Sequence, residues 1–227
     1  MARTSTLSVR AACLLIAALV VSSSAFAQRE LAGAVPSLGA LAPIDVVAET
    51  RFGLSWFPVE VGRGNVDGDG AFVLRFHQPL PLEAEIAVPV ERLFEGRSCA
   101  GLAFSDPAAR VVLVRELRIV PDGAPCEYCE TLASVYLASG PRDRLAATGD
   151  MVVRWLYADR DLSIEGTCAY GWGRETYALD LHTGWNTMLL ETTAVLPSEG
   201  YCDCHEVLVM AVPFTPEGLD WYVVDQR

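Results

Sequence analysis

Apolar and polar positions alternate with period two along much of this chain. In "MVVRWLYA" (151–158), Met151, Val153, Trp155 and Tyr157 fall on one face. In "ETYALDLH" (175–182), Tyr177, Leu179 and Leu181 face one way, and Thr176, Ala178, Asp180 and His182 the other. Successive side chains of a pleated strand point to opposite sides of a sheet, so this pattern predicts strands. The runs "AFVLRF" (71–76), "ARVVLVRELRIV" (109–120), "TLASVYLA" (131–138), "LSIEG" (162–166), "WNTMLLETTAV" (185–195) and "EVLVMAVPF" (206–214) are rich in β-branched and aromatic residues and read the same way. Turn signals such as "VGRGNVDGDG", "VPDGAP", "YADRD" and "LHTGWN" separate them. A single short helix is expected, at residues 89–95 before Gly96. Nothing alternates strand with helix as a parallel sheet requires. The pattern therefore predicts an all-β fold: an antiparallel β-sandwich with at most one short helix.

The first 46 residues break this pattern. Arg3 and Arg10 precede an apolar run from Ala11 to Val21, then three serines and Ala25-Phe26-Ala27. That order is the anatomy of a secretory signal peptide, residues 1–27, cut after Ala27. The apolar run is shorter than the ~20 residues that a membrane span needs, and no later segment is long and apolar enough to be one. Cys13 sits at the start of the apolar run, a poor position for lipid attachment. Residues 28–46, rich in Ala, Gly and Pro, are expected to be a flexible leader, and 47–227 a single β-sandwich domain. The expected destination is periplasmic or secreted.

Charge narrows the partners. All 29 acidic residues and 15 of the 17 basic ones lie beyond Ala27, giving the mature chain a net charge of 15 − 29 = −14. Nucleic acid needs a basic footprint, so it is not an expected partner. Every basic side chain is arginine; the absence of lysine excludes the phosphate-loop lysine, Schiff-base chemistry and the Ser-x-x-Lys nucleophile arrangement. G-x-S-x-G and H-E-x-x-H are also missing.

Three segments carry a resemblance. "SDPAARVVLVRELRIV" (105–120), "YADRDLSIEGTC" (157–168) and "YALDLHTGWN" (177–186) are similar to parts of a loose group of uncharacterised exported bacterial β-sandwich proteins. In those, an aspartate-bearing hairpin precedes a strand and the next strand begins with Gly-Trp-Asn. The resemblance spans about the last 120 residues. It implies the scaffold and brings no catalytic residue with it. The residues themselves suit that part: Gly184 for a tight turn, Trp185 as a strand anchor, Asn186 for bonds to the turn backbone.

Six cysteines survive signal removal: Cys99, Cys126, Cys129, Cys168, Cys202 and Cys204. An even count in an oxidising compartment favours disulfides, with at least one bridge expected to join the two cysteine clusters or to join either of them to Cys168. The alternative is a metal centre. Cys126, Cys129, Cys202, Cys204 and His205 offer soft ligands for zinc or copper(I), with Cys99 and Cys168 left to pair separately. "NVDGDG" (65–70) begins like a calcium loop, but its twelfth place is Phe76, so a Gly-rich turn is expected. Trp172, between glycines in "AYGWGRE", is the tryptophan expected to be exposed as a ligand platform. The reading is a non-catalytic exported protein with a binding or structural role, meeting an envelope or extracellular partner. The alternatives are a metal-binding exported protein and a hydrolase with a carboxylate pair.

Overall fold

The computed structural model describes residues 29–50, 58–80, 86–125, 131–141, 147–170, 173–196 and 204–225. The expected signal peptide lies outside them. In chain order the elements are β1 (Glu30–Ala34), α1 (Pro36–Gly39), β2 (Ile44–Thr50), β3 (Val59–Val66), β4 (Ala71–Phe76) and β5 (Val88–Pro89). A 3-10 turn (Val90–Phe94) leads to β6 (Ser98–Phe104), β7 (Arg110–Val114), β8 (Leu117–Pro121), β9 (Ala133–Ala138) and β10 (Met151–Ala158). The last are β11 (Leu162–Tyr170), β12 (Gly173–Leu181), β13 (Gly184–Leu196), β14 (Cys204–Val212) and β15 (Asp220–Asp225). The fold is all-β, as the alternation predicts, and β4 and β10 keep their expected bounds.

One continuous sheet holds these strands, in the order β1-β4-β3-β2-β8-β9-β10-β13-β14-β12-β11-β6, with β15 on β9, β7 on β10 and β5 on β7. The pairs are antiparallel except β12 with β14, which run parallel because β13 crosses between them in sequence. Two expectations change. Residues 28–46, read as a flexible leader, carry β1, α1 and the start of β2. Leu31, Leu38 and Ile44 are buried, and β1 pairs along its length with β4. Alanine- and glycine-rich composition hid three apolar anchors at positions that reach the core. The run 109–120, read as one strand, is two. At Arg115-Glu116 the chain leaves β10 and goes on to pair with β2 and β9. The expected helix at 89–95 is the 3-10 turn, and the α-helix, a single turn, lies at α1 instead.

The sheet folds around two cores that share β7, β10 and β13. Val112, Val114, Val153, Trp155, Trp185 and Leu189 face the first, against β1–β4, β8 and β9. Val111, Leu113, Leu156, Ala158, Met188 and Leu190 face the second, against β11, β12 and the 3-10 turn. Strands buried on both faces read as nearly unbroken apolar runs, which is the character of "MVVRWLYA" and "RVVLV". The Gly-Trp-Asn start does what its residues suit. Gly184 takes a positive φ of 105°. Trp185 is buried, stacks on Phe76 with centroids 4.3 Å apart, and donates its indole N–H to the His77 carbonyl at 3.3 Å. Asn186 accepts from the His182 N–H at 2.9 Å and donates to the His182 and Gly184 carbonyls at 2.7 and 2.9 Å.

The turns that follow β3 and β10 use carboxylates structurally. Asp67 Oδ1 accepts the Asp69 and Ala71 N–H groups at 3.0 and 2.9 Å, closing the turn between β3 and β4. Asp161 accepts the Thr183 N–H at 2.8 Å and its hydroxyl at 3.0 Å, and these bonds hold its carboxyl below the usual aspartate range.

Candidate functional site

The second core does not close completely. Between the β7/β10/β13 layer and β12 lies a small open-mouthed pocket. Register explains its lining. Leu156 pairs with Leu113 across β10 and β7, and Leu190 with Val209 across β13 and β14. With Leu179 and Met188, these side chains make an apolar floor; Leu93 and Phe94 of the 3-10 turn form a wall.

The remaining lining is charged or polar: Arg97, Arg115, Arg154, Glu175 and Tyr177. Glu175 continues the Tyr177–Leu179–Leu181 face of β12 by one more alternate position, so the pleat carries a carboxylate into the core, 6% exposed. Arg97, just before β6, forms an ion pair with it. Arg97 also donates to the Tyr177 hydroxyl at 2.6 Å, and that hydroxyl donates to Glu175. The Arg97 guanidinium lies 5.4 Å from the centre of the Tyr170 ring, in cation–π range. Burial, reinforced by its bond to the Glu175 carboxylate, raises the Tyr177 phenol well above its ordinary value. Glu175 is thus ion-paired with Arg97, and its charge also acts, more weakly than burial and Arg115, on Arg154.

Arg154 is different. It sits mid-strand in β10, opposite Met188, and Arg115, which follows the end of β7, lines the same pocket. Burial and then the Arg115 charge lower the Arg154 pKa from its ordinary value. Among the described residues, its guanidinium makes neither an ion pair nor a hydrogen bond. The pocket therefore holds three guanidinium groups and one carboxylate around an apolar floor. Arginine stays charged and has no acceptor, so this group of side chains can bind and orient, with Glu175 tied down as a counter-ion.

The residues singled out from sequence lie elsewhere. Cys99 and Cys168 form a disulfide where β6 pairs with β11, which fastens the last strand of the sheet path. The register puts Cys99 directly opposite Cys168, which removes one of the two expected arrangements, a bridge from Cys168 to either cluster; the other, a bridge between the clusters, involves residues outside those described. Cys126, Cys129, Cys202 and Trp172 lie outside the described residues. Cys204 starts β14 partly buried and has no disulfide among the described residues; His205, next to it, is also partly buried. No group of three metal-ligating side chains occurs among the described residues. The buried acids Asp45, Glu49 and Glu175 are each paired with an arginine: Arg63, Arg118 and Arg97 respectively.

Sequence reasoning missed the pocket residues. One signal was there to use: Arg154 is the single charged residue in "MVVRWLYA", a strand apolar enough to be buried on both faces. Arg97 and Glu175 carried no such mark, because they are 78 residues apart and meet only through the sheet. No protein-family model, curated protein or solved structure matches this chain.

Proposed function

We propose that this is an exported, non-catalytic binding protein that works in the cell envelope or outside the cell and holds a small molecule in the pocket of its second core. The observation that carries this reading is the pocket itself: an apolar floor with a few convergent polar groups, the usual make-up of a small-molecule site. Export is supported by the order of Arg3, Arg10, the apolar run and Ala25-Phe26-Ala27, and by the Cys99–Cys168 disulfide, a bond that persists in oxidising compartments. Among the described residues no helix is long and apolar enough to cross a membrane. The arginine partners of the buried acids weigh against a free carboxylate pair for hydrolysis.

A second reading, zinc or copper binding through Cys126, Cys129, Cys202, Cys204 and His205, is favoured by one observation. The bridge takes the two cysteines that such a set leaves over. Thiol alkylation before and after chelation separates the readings: these four cysteines reacting only once metal is stripped would favour the metal.

Two measurements on exported protein test the main reading. Intact mass should place the mature N-terminus at Gln28; retention of residues 1–27 would overturn export by cleavage. Ligand-observed NMR with a panel of small apolar, anionic and cationic molecules should find binders that Leu179→Trp, which fills the pocket floor, displaces. A panel without a single such binder would overturn the binding role.

A further inference from the structure

The Arg97–Glu175–Tyr177 set is internally matched, but Arg154 is not. We propose that the pocket binds a small carboxylate with a short apolar group, its carboxylate received by Arg154 beside Arg115 and its apolar part laid on the leucine floor. The inference rests on the binding role above and adds the chemical class of the ligand.

Three features converge on it. The first is charge. A guanidinium in a pocket with Leu113, Leu156 and Met188, repelled by the Arg115 charge and with neither ion pair nor hydrogen bond among the described residues, is an unfavourable arrangement. One negative charge placed there supplies what the strand pairing withholds, and it relieves the repulsion between Arg154 and Arg115. The second is shape. The guanidinium fork matches a planar carboxylate with two parallel N–H···O bonds, which a hydroxyl or an amine does not satisfy. The third is what surrounds the fork. Leu156, Leu179, Met188, Leu190 and Val209 offer apolar contact and no acceptor, so the ligand needs an apolar body within reach of its charge.

Glu175 sets the sign of selection. It is already the counter-ion of Arg97, so a second carboxylate is not repelled by a free charge, whereas a cationic ligand would face two guanidinium groups. A single anionic charge fits best, because Arg154 is the one pocket arginine for which the described residues provide neither ion pair nor hydrogen bond, while Arg97 and Arg115 both have interactions of their own. Arg154 also explains its own position. An apolar residue there would extend the second core, and the strand instead places a charge at this half-buried position.

The test is isothermal titration of the exported protein with hexanoate, 1-hexanol and hexylamine, in native, Arg154→Met, Arg154→Gln and Arg154→Lys forms. Hexanoate should bind the native protein at least about tenfold more tightly than hexanol, a difference of about 1.4 kcal/mol, and hexylamine should not bind. Arg154→Met and Arg154→Gln should remove that advantage, bringing hexanoate down to the affinity of hexanol, while Arg154→Lys should retain part of it. In the native protein, NMR should bring the hexanoate chain within nuclear-Overhauser range of the Met188 methyl group, a readout independent of how the variants fold. Hexanol binding as tightly as hexanoate would overturn the carboxylate assignment and leave a pocket for apolar molecules. Undiminished hexanoate binding to both Arg154→Met and Arg154→Gln, or Overhauser contacts only to surface residues such as Phe214, would place the anion elsewhere and overturn it too. Failure of all three probes, together with an empty panel in the wider screen, would remove the binding role itself.

Discussion

Trp155→Ala is expected to destabilise the fold by about 3–5 kcal/mol, the range for deleting a large buried aromatic side chain. Trp155 is fully buried in the first core, on the strand both cores share. Its ring lies parallel to that of Trp221, 10° between planes and centroids 6.0 Å apart, and 6.3 Å from Phe76. Removing it opens a cavity between β10, β15 and β4 that surrounding side chains cannot refill without moving the sheet. A milder change gives a sharper test. Among the described residues the buried Trp155 indole N–H has no hydrogen-bond partner, whereas that of Trp185 donates to the His77 carbonyl. Trp155→Phe therefore removes an unsatisfied donor along with some contact area, while Trp185→Phe leaves a carbonyl without its donor. Urea unfolding of the variants should rank Trp155→Ala as the most damaging and Trp155→Phe as less costly than Trp185→Phe. Loss of under about 1 kcal/mol on Trp155→Ala would mean that the two-core arrangement is wrong.

The second large effect belongs to the disulfide. Cys99 and Cys168 close a loop with a sequence separation of 69. In the chain-entropy model, a loop of that size stabilises the folded state by about 4 kcal/mol. For a domain of this size that corresponds to a fall in Tm of about 8–16 °C on breaking the bond. The bond also holds β6, the last strand of the sheet path, against β11, and β6 supplies Leu102 and Phe104 to the second core. The double variant Cys99→Ala/Cys168→Ala should therefore melt earlier and expose the region around β6 first. Thermal unfolding by circular dichroism measures the shift, and hydrogen exchange locates it. The amides of β6 and β11 should lose protection while those of β2 and β3 keep theirs. A Tm unchanged by the double variant would show that strand pairing alone holds this edge.

Local patterning determined the class of this protein. Alternation and β-branched or aromatic content need only neighbouring residues, so they revealed strands such as β4, β10 and β12, and with them the all-β fold. Gly184, Trp185 and Asn186 were legible for the same reason, since a tight turn, an anchor and a side chain bonding nearby backbone are all short-range features. Where the chain changes partners, local pattern gave no warning. Residues 109–120 look uniform, and only the pairing of Val114 with Trp155 and of Leu117 with Val135 shows that the strand breaks between layers. The ordered segment from Glu30 to Thr50 was hidden likewise, because its few apolar anchors gain their meaning from β3, β4 and β8. Disulfide partners depend on register, and fifteen pairings were open until β6 was laid against β11. The pocket is the furthest from sequence. Arg154 announced itself as a charge in a buried strand. What gives it a role is the matching of Arg97 to Glu175, 78 residues apart, and the placing of Arg115 in the same pocket. Burial and charge balance are properties of the assembled sheet, so only the tertiary structure decides which arginine has a counter-ion and which is left to find one.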